Sequence, residues 1–371
     1  MPVKRNRLTA DRLAFVLFVV SITGLVFIYG VAVGRYQIFP FRFLMLAGQG
    51  FQDLRTRATG HLPWYYTRVG DKHPESGRNS TEAYQGLNLV SKIAAGHELS
   101  VEVLDMEGKR LHTWNVDWFT IWPDAMHLPD RRIPQAKPGT QIHGVLMLEN
   151  GDLVFNYDHL GLVRLNLQGE VVWRLPYQTH HSLEQHDNGN LWVCGEIDHG
   201  TPDVRFPNQL PPFDEYTILE VTPDGKIVEE WVIADILREN SLNGLLYLGS
   251  LHETSTQTAG DTLHLNDVEP FPDTMQEDFF QKGDVLVSLR NINTVFVFNR
   301  QSRKIKFICT GWFVRQHDAD FIDGNTFSVF DNNHILPFGP DCFSRIVIVS
   351  ARERKAEVYY EGSSNSPFYT D

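Results

Sequence analysis

HGVLMLENGDLVFNYDHLGLVRLNLQGEVVWRL, residues 143–175, decides the fold. It breaks into four short runs: His143–Glu149, Asp152–Tyr157, Gly161–Asn166 and Glu170–Leu175, with Asn150-Gly151 and Gln168-Gly169 at two of the breaks. Runs this short, rich in Val, Leu and aromatic residues and bounded by turn residues, read as strands rather than helices. A glycine after a polar residue supplies the positive φ that a tight hairpin needs. The stretch therefore reads as a four-stranded antiparallel meander.

The unit recurs along the chain. A second copy opens at His181 with SLEQHD, turns at Asn188-Gly189, continues as NLWVCGEI and, after a long insertion, resumes as YTILEV, TPDG and KIVEEW. A third opens at His264 with LNDVEPFP, carries a longer insertion around Glu277–Gln281, and continues as DVLVSLR, TVFVFN and KIKFICTG. A fourth opens at His317 with DADFI, turns at Asp323-Gly324 and runs on through NTFSVFDN, SRIVIVS and AEVYYEG. Leu87–Trp114, with VEVLDMEGKRLHTW, supplies two outer strands of a still earlier unit. Four-stranded units every forty to fifty residues or so mean an all-β propeller whose first strands line a central channel. A β-sandwich is the competing fold, but it gives no reason for turns at repeated offsets. The last unit ends in Phe368-Tyr369-Thr370-Asp371, where a further inner strand is expected, so the last blade reads as incomplete.

Ahead of the repeats, Lys4, Arg5, Arg7 and Arg12 precede an uncharged run from Leu13 to Gly34. That run is long enough to cross a bilayer and longer than the apolar part of a cleavable signal, so a retained anchor is expected. Basic residues before the span leave residues 1–12 as a cytoplasmic tail and send the globular part to the periplasm or cell exterior. Tyr36–Arg57 is expected as a connecting or interfacial helix, and Trp64–Glu82, with Gly70, Pro74, Gly77 and Ser80, as a linker. The domain plan is thus a tail at 1–12, an anchor at 13–34, a connection at 35–83 and a propeller at 84–371.

A net charge of −13 excludes a nucleic-acid face. An aromatic content of 12% excludes global disorder. Cys194, Cys309 and Cys342 are odd in number and widely spaced, which gives neither a disulfide framework nor a metal motif. Gly70–Asn79 (GDKHPESGRN) lacks the strand-to-helix context of a nucleotide loop. No cofactor and no metal ligand is expected from spacing.

The candidate chemistry lies in His143, His181, His264 and His317, which stand at the same place in their repeats, at the mouth of each inner strand, and so converge on the axis. Arg290 ends the apolar strand DVLVSLR beside Asn291; its planar fork suits a sulfate, phosphate or carboxylate, or else an ion pair with Asp267 or Glu269.

At these residues the chain resembles the bacterial arylsulfotransferases, which move a sulfuryl group between phenols without a nucleotide donor. The resemblance covers roughly residues 84–362 and is carried by HHSLEQHDNGNLWV (180–193), LHLNDV (263–268), VSLRN (287–291) and RQHDADFIDGNTFSVFDN (315–332). It implies six blades and a transient sulfohistidine on His317. It also implies that His264, expected to be protonated, and Arg290 bind the sulfuryl oxygens, together with one histidine of the HH doublet, His181 or else His180. His180, His143, Asn291 and Asp318 are expected to line the substrate pocket, and Asp318 or Asp320 to orient the His317 ring. The implied partners are a small aryl sulfate and a phenol, with the membrane reached through the N-terminal helix; a homodimer is compatible with the sequence. The alternative from another class is a membrane-tethered propeller that keeps the histidines as a binding or assembly module.

Overall fold

The computed structural model describes residues 7–36, 38–41, 43–44, 47, 83–94, 97–250, 256–333, 343–363 and 368. The chain divides into two compact units, Met1–Glu75 and Ser76–Asp371.

The first unit contains α1 (Arg7–Tyr36). Phe15, Phe18, Leu25, Phe27 and Ile28 are all exposed on it, so its apolar surface is not a single stripe packed on a core. The apolar stretch Asp11–Tyr36 has 26 residues. At 1.5 Å per residue it is about 39 Å long, more than the ~30 Å of a bilayer's hydrocarbon layer. Thr23 places its hydroxyl on the carbonyl of Val19 at 2.8 Å, which satisfies it within the apolar run. The helix is a candidate membrane span or signal sequence. The expected connecting helix at Tyr36–Arg57 is described only in pieces, and the linker Trp64–Glu82 lies outside the described residues.

The second unit is a β-propeller with five sheets among the described residues. The first holds β1 (Asn88–Ala94), β2 (Glu98–Leu104) and β3 (Arg110–Asn115), followed by a one-turn helix α2 (Trp118–Ile121). The second holds β4 (Ile142–Met147), β5 (Leu153–Tyr157), β6 (Gly161–Leu165) and β7 (Val171–Leu175). The third holds β8 (Gln178–Gln185), β9 (Leu191–His199), β10 (Gln209–Val221) and β11 (Ile227–Val232), then α3 (Ile233–Glu239), and gains β12 (Thr258–Gly260) in parallel with β10. The fourth holds β13 (Leu265–Pro270), β14 (Asp284–Leu289), β15 (Thr294–Asn299) and β16 (Ile305–Thr310). The fifth holds β17 (His317–Phe321), β18 (Thr326–Asp331), β19 (Arg345–Ser350) and β20 (Lys355–Glu361). First strands lie side by side in series: β1 with β4, β4 with β8, β8 with β13 and β13 with β17.

The core shows why this is a propeller and not a sandwich. On β5, Leu153 and Phe155 pack toward the first sheet with Val101 and Trp114, whereas Val154 packs toward the third with Leu191 and Val193. On β9, Trp192 and Cys194 face the fourth sheet with Val285 and Phe296. On β15, Phe296 and Phe298 face the third sheet, and Val295 and Val297 face the fifth with Phe327 and Val347. Successive side chains of a strand point to opposite faces, so strands apolar at nearly every position are sheets buried on both sides. A sandwich has one core between two sheets; here four cores separate five sheets.

Four of the five turn glycines behave as their spacing predicts, and Gly324 does not, having no positive φ. Gly151, Gly169, Gly189 and Gly225 all have φ between 82° and 85°, and each N–H donates to the carbonyl three residues back. This is the three-residue hairpin in which glycine takes the left-handed position.

Two details differ from expectation. The earliest unit has three strands, and its β1 lies against β4, so it is more than a pair of outer strands. The six blades implied by the resemblance are not seen; the described residues form five. At the other end Phe368 turns back onto the fifth sheet, its carbonyl accepting from the Ser344 N–H at 2.8 Å and its ring 5.3 Å from Phe330 and 5.1 Å from Tyr360. Phe368 itself is not in a strand, and Tyr369–Asp371, where the further inner strand is expected, lie outside the described residues.

Phe155 is fully buried between the first two sheets. Phe155→Ala is expected to cost about 3–5 kcal/mol, read as a lower urea midpoint. An unchanged midpoint would mean that these sheets do not interlock as described.

Candidate active site

The four inner strands after β1 lose their regular pairing near their starts. The register shifts between Ile142 and Val145 on β4, His180 and Leu183 on β8, Leu265 and Asp267 on β13, and His317 and Ala319 on β17. Such bulges re-aim side chains. His181, His264 and Asp318 have φ of 50°, 54° and 50°, a conformation that non-glycine residues adopt only where the surroundings impose it. The four histidines are therefore not at one register position as the repeats suggest. His143 and His181 follow the last regular pair, His317 belongs to it, and His264 precedes the first pair. The irregularities bring them to one mouth nonetheless.

The second and third sheets approach closely there. A Cβ on Gly144 would stand 2.5 Å from the His181 carbonyl oxygen. Buried Asn156 spans the gap, accepting from the Gly144 N–H at 2.9 Å and donating to the His181 carbonyl at 3.0 Å.

His181 is at the centre. Its ring lies 3.9 Å from that of His143, 4.8 Å from His264 and, stacked, 6.1 Å from His317. Its Nε2 meets His264 Nε2 at 3.2 Å and its Nδ1 meets His180 Nδ1 at 2.9 Å. Of the doublet, His181 faces the cluster, whereas His180 points the other way and is fully buried. His143 Nδ1 lies 2.8 Å from Asp158. His264 Nδ1 is bonded to Asp261, whose other oxygen takes the Tyr216 hydroxyl.

Arg290 Nη1 is 3.3 Å from His264 Nε2, and its buried Nε has no partner. The ion pairs with Asp267 and Glu269 are not formed. Asp267 accepts from the Ala319 N–H at 2.8 Å and Glu269 from the Phe321 N–H at 2.6 Å. A guanidinium only donates, so His264 Nε2 is an acceptor and its proton sits on Nδ1 toward Asp261. Arg290 supplies a fixed positive charge beside the ring. Asn291 sits at the rim, donating to the Asp261 carbonyl at 2.9 Å, and with Asp261 and Arg315 lines an open cleft of about 380 Å³.

The His317 ring is oriented by Asn332, whose Oδ1 accepts from Nδ1 at 3.0 Å. Asp318 and Asp320, proposed for that role from sequence, are exposed instead. Burial is the main reason the His317 pKa is held down at about 4, and the Arg290 cation adds to it against the bond from Asn332. His181 is lowered well below the usual imidazole value by burial and by His143, His180 and His264 around it. The site thus offers two imidazoles held neutral, His181 and His317, beside the guanidinium of Arg290.

Residues 144–370, more than half of the chain, match the arylsulfotransferase (ASST) family. The chain belongs to that family. No curated protein matches it. Among solved structures it is similar to a protein of unknown function from Bacteroides caccae, at 11% identity and a TM-score of 0.42, over 75% of this chain and 73% of that one. It is also similar to the β-propeller domain of Myceliophteria thermophila Cps50 (Swd1), at 9% identity and a TM-score of 0.39, over 76% of each chain.

For an arylsulfotransferase-family chain, the sequence reading missed Asn332, Asp261, Asp158, His159 and Glu196. Asn332 was within reach, since it ends the quoted SVFDN run; the others sit in turns or on strands whose outward signal is only that of a hairpin.

Gly144→Ala must push β4 away from β8 at His181. Overpacking of this kind costs about 1–3 kcal/mol and is expected to lower the thermal midpoint. A midpoint equal to wild type would show that the two strands do not approach so closely.

Proposed function

We propose that the chain is an aryl-sulfate sulfotransferase that works through a sulfohistidine on His317, needs no nucleotide donor, and is held to a membrane by α1 with residues 1–12 in the cytoplasm and the domain at 84–371 outside. The observation that carries this reading is His317 itself. Asn332 holds Nδ1, the ring is unprotonated at neutral pH, and Nε2 is left to act beside Arg290.

The Nε2 lone pair attacks sulfur, the S–O bond to the aryl group breaks, and the oxygen leaves with the electron pair as a phenolate that takes its proton from water. Arg290 offsets charge on the sulfuryl oxygens, a role that fits a guanidinium with an unpartnered N–H in a channel without a carboxylate on it. An acceptor phenol then attacks sulfur, the N–S bond breaks, and the lone pair returns to His317 as the phenolic proton passes to the imidazoles. His181 and His143 wall the pocket. One site serves both displacements, so ping-pong kinetics follow, with residues from a single chain.

Incubation with a chromogenic aryl sulfate is expected to add the mass of one sulfuryl group to the intact wild-type protein and none to His317→Ala. A well-folded wild type that gains no mass would sink the transferase reading and favour the binding-module alternative. The pH dependence is a second check. The free imidazole is the reactive form, and it is lost only as pH falls through about 4. The single-turnover rate is therefore expected to be flat from pH 8 to pH 5, without the fall near 6.5 that an unperturbed histidine would give.

A further inference from the structure

We propose that His159 Nδ1, His180 Nε2 and Glu196 Oε2 form a site for one divalent transition-metal ion of the zinc type, buried beside the histidine cluster and distinct from the sulfuryl pocket. Glu196 is on β9, His180 on β8, and His159 in the turn between β5 and β6, so the site joins the second and third sheets.

The three atoms lie within 4.8 Å of one another, and each is buried without a hydrogen-bond partner. His159 Nδ1 is 3.0 Å from Glu196 Oε2, yet off the line of an N–H···O bond, and His180 Nε2 is 3.7 Å from the same oxygen. Ligands at ~2.1 Å from a tetrahedral ion stand about 3.4 Å apart. The two measured separations bracket that value. The His180 and Glu196 side chains are 1% and 0% exposed, so water does not satisfy them.

Hydrogen-bond direction makes the case specific. Arg290 donates to His264 Nε2, so His181 Nε2 must donate to the same atom, and both contacts, 3.3 and 3.2 Å, have the length of a shared acceptor. A neutral His181 then has a bare Nδ1, which accepts from His180 Nδ1 at 2.9 Å. The remaining nitrogen of His180, Nε2, carries a lone pair aimed at a carboxylate oxygen, with no water between. A proton on His159 settles His159 and Glu196 but leaves that lone pair facing negative charge. A cation settles all three.

The surroundings fit an ion. Arg132 binds Glu196 through Oε1 and leaves Oε2 free. Asp158 stands 3.3 Å from His159 Nε2, the carboxylate-on-imidazole arrangement that fixes ligating histidines. Glu196, Asp158, Asp198 and Asp214 outnumber Arg131 and Arg132 there. The His159 side chain is 33% exposed, which gives an ion a way in and leaves a fourth position for water. Two imidazoles and a carboxylate are the donor set of zinc and its neighbours. Its role would be to hold His180 as a donor toward His181, one step from the reacting groups.

The test is calorimetric titration of the untagged, chelator-treated full chain with Zn²⁺. One ion per chain is expected, with affinity reduced about 100-fold or more in His159→Asn and in Glu196→Gln. His186→Ala alters a separate, more exposed group, His186 with Asp187 and Asp273, and is expected to bind as wild type does. If Glu196→Gln does not fold, the partly exposed His159→Asn carries the test. No stoichiometric binding by folded wild type, undiminished binding by His159→Asn, or loss in His186→Ala would each overturn the proposal. Because titration reads binding without turnover, a chain that binds zinc but takes up no sulfuryl group would sink the transferase reading alone.

Discussion

The rest of the structure depends on strands buried on both faces. Because β5, β9, β14 and β15 give alternate side chains to different neighbouring cores, a one-residue slip of any of them would turn both faces wrong at once. That constraint fixes each sheet against the next and pins the inner strands, which have less apolar surface of their own to hold them. His181 and His264 can then sit in left-handed backbone at the strand mouths, since the interlocked sheets behind them offset the conformational cost. The Asn156 cross-link between Gly144 and His181 is this constraint in its smallest form: a buried amide satisfied only when two sheets meet in one register.

An acidic protein that is to accept an anion needs its local charge arranged with care. At the mouth His181 and His317 stay neutral and Arg290 has no carboxylate partner. Deeper along the inner strands the lining turns acidic, with Glu184, Asp267, Glu269, Asp318 and Asp320 near one another. Burial first, and mutual repulsion after it, raise Glu269 to about 9 and Glu184 to about 7, which lightens the negative charge of that lining at neutral pH. Asp267 and Glu269, two apart and hence on one face of β13, serve to clamp β17 through its N–H groups. The acidic residues thus build the channel, and the positive charge is left for the mouth.

What was legible in the sequence is what is local. Strand runs and the glycine turns at 151, 169, 189 and 225 are properties of short stretches, and so is the placing of a histidine at each strand start. The family resemblance adds His317 and Arg290. What was not legible depends on bulges and on contacts between sheets. Equal spacing in the repeats suggests equal positions for His264 and His317, but their strands shift register at different points. Asn332, on the end of β18, faces His317 across a ladder that sequence spacing does not draw, so the nearer Asp318 and Asp320 looked the better orienting groups. Glu196 reads as an ordinary polar residue in NLWVCGEI until β5, β8 and β9 are assembled.

The HH doublet shows how a local pattern acquires its meaning from the fold. Adjacent residues on a strand point to opposite faces, so one histidine of the pair enters the mouth and the other is driven into the wall. The bulge at His181 bends the two rings back until their Nδ1 atoms touch. A proton can occupy only one of those nitrogens when both rings are neutral, so the state of each histidine fixes that of the other. From Asp261 through His264 and His181 to His180, each donor assignment follows once Arg290 is placed on His264. The hydrogen-bonded chain ends at His180, whose Nε2 stands 3.7 Å from Glu196 without a bond to it, so the anion-binding cation at the mouth is linked to the ring that walls off the buried carboxylate.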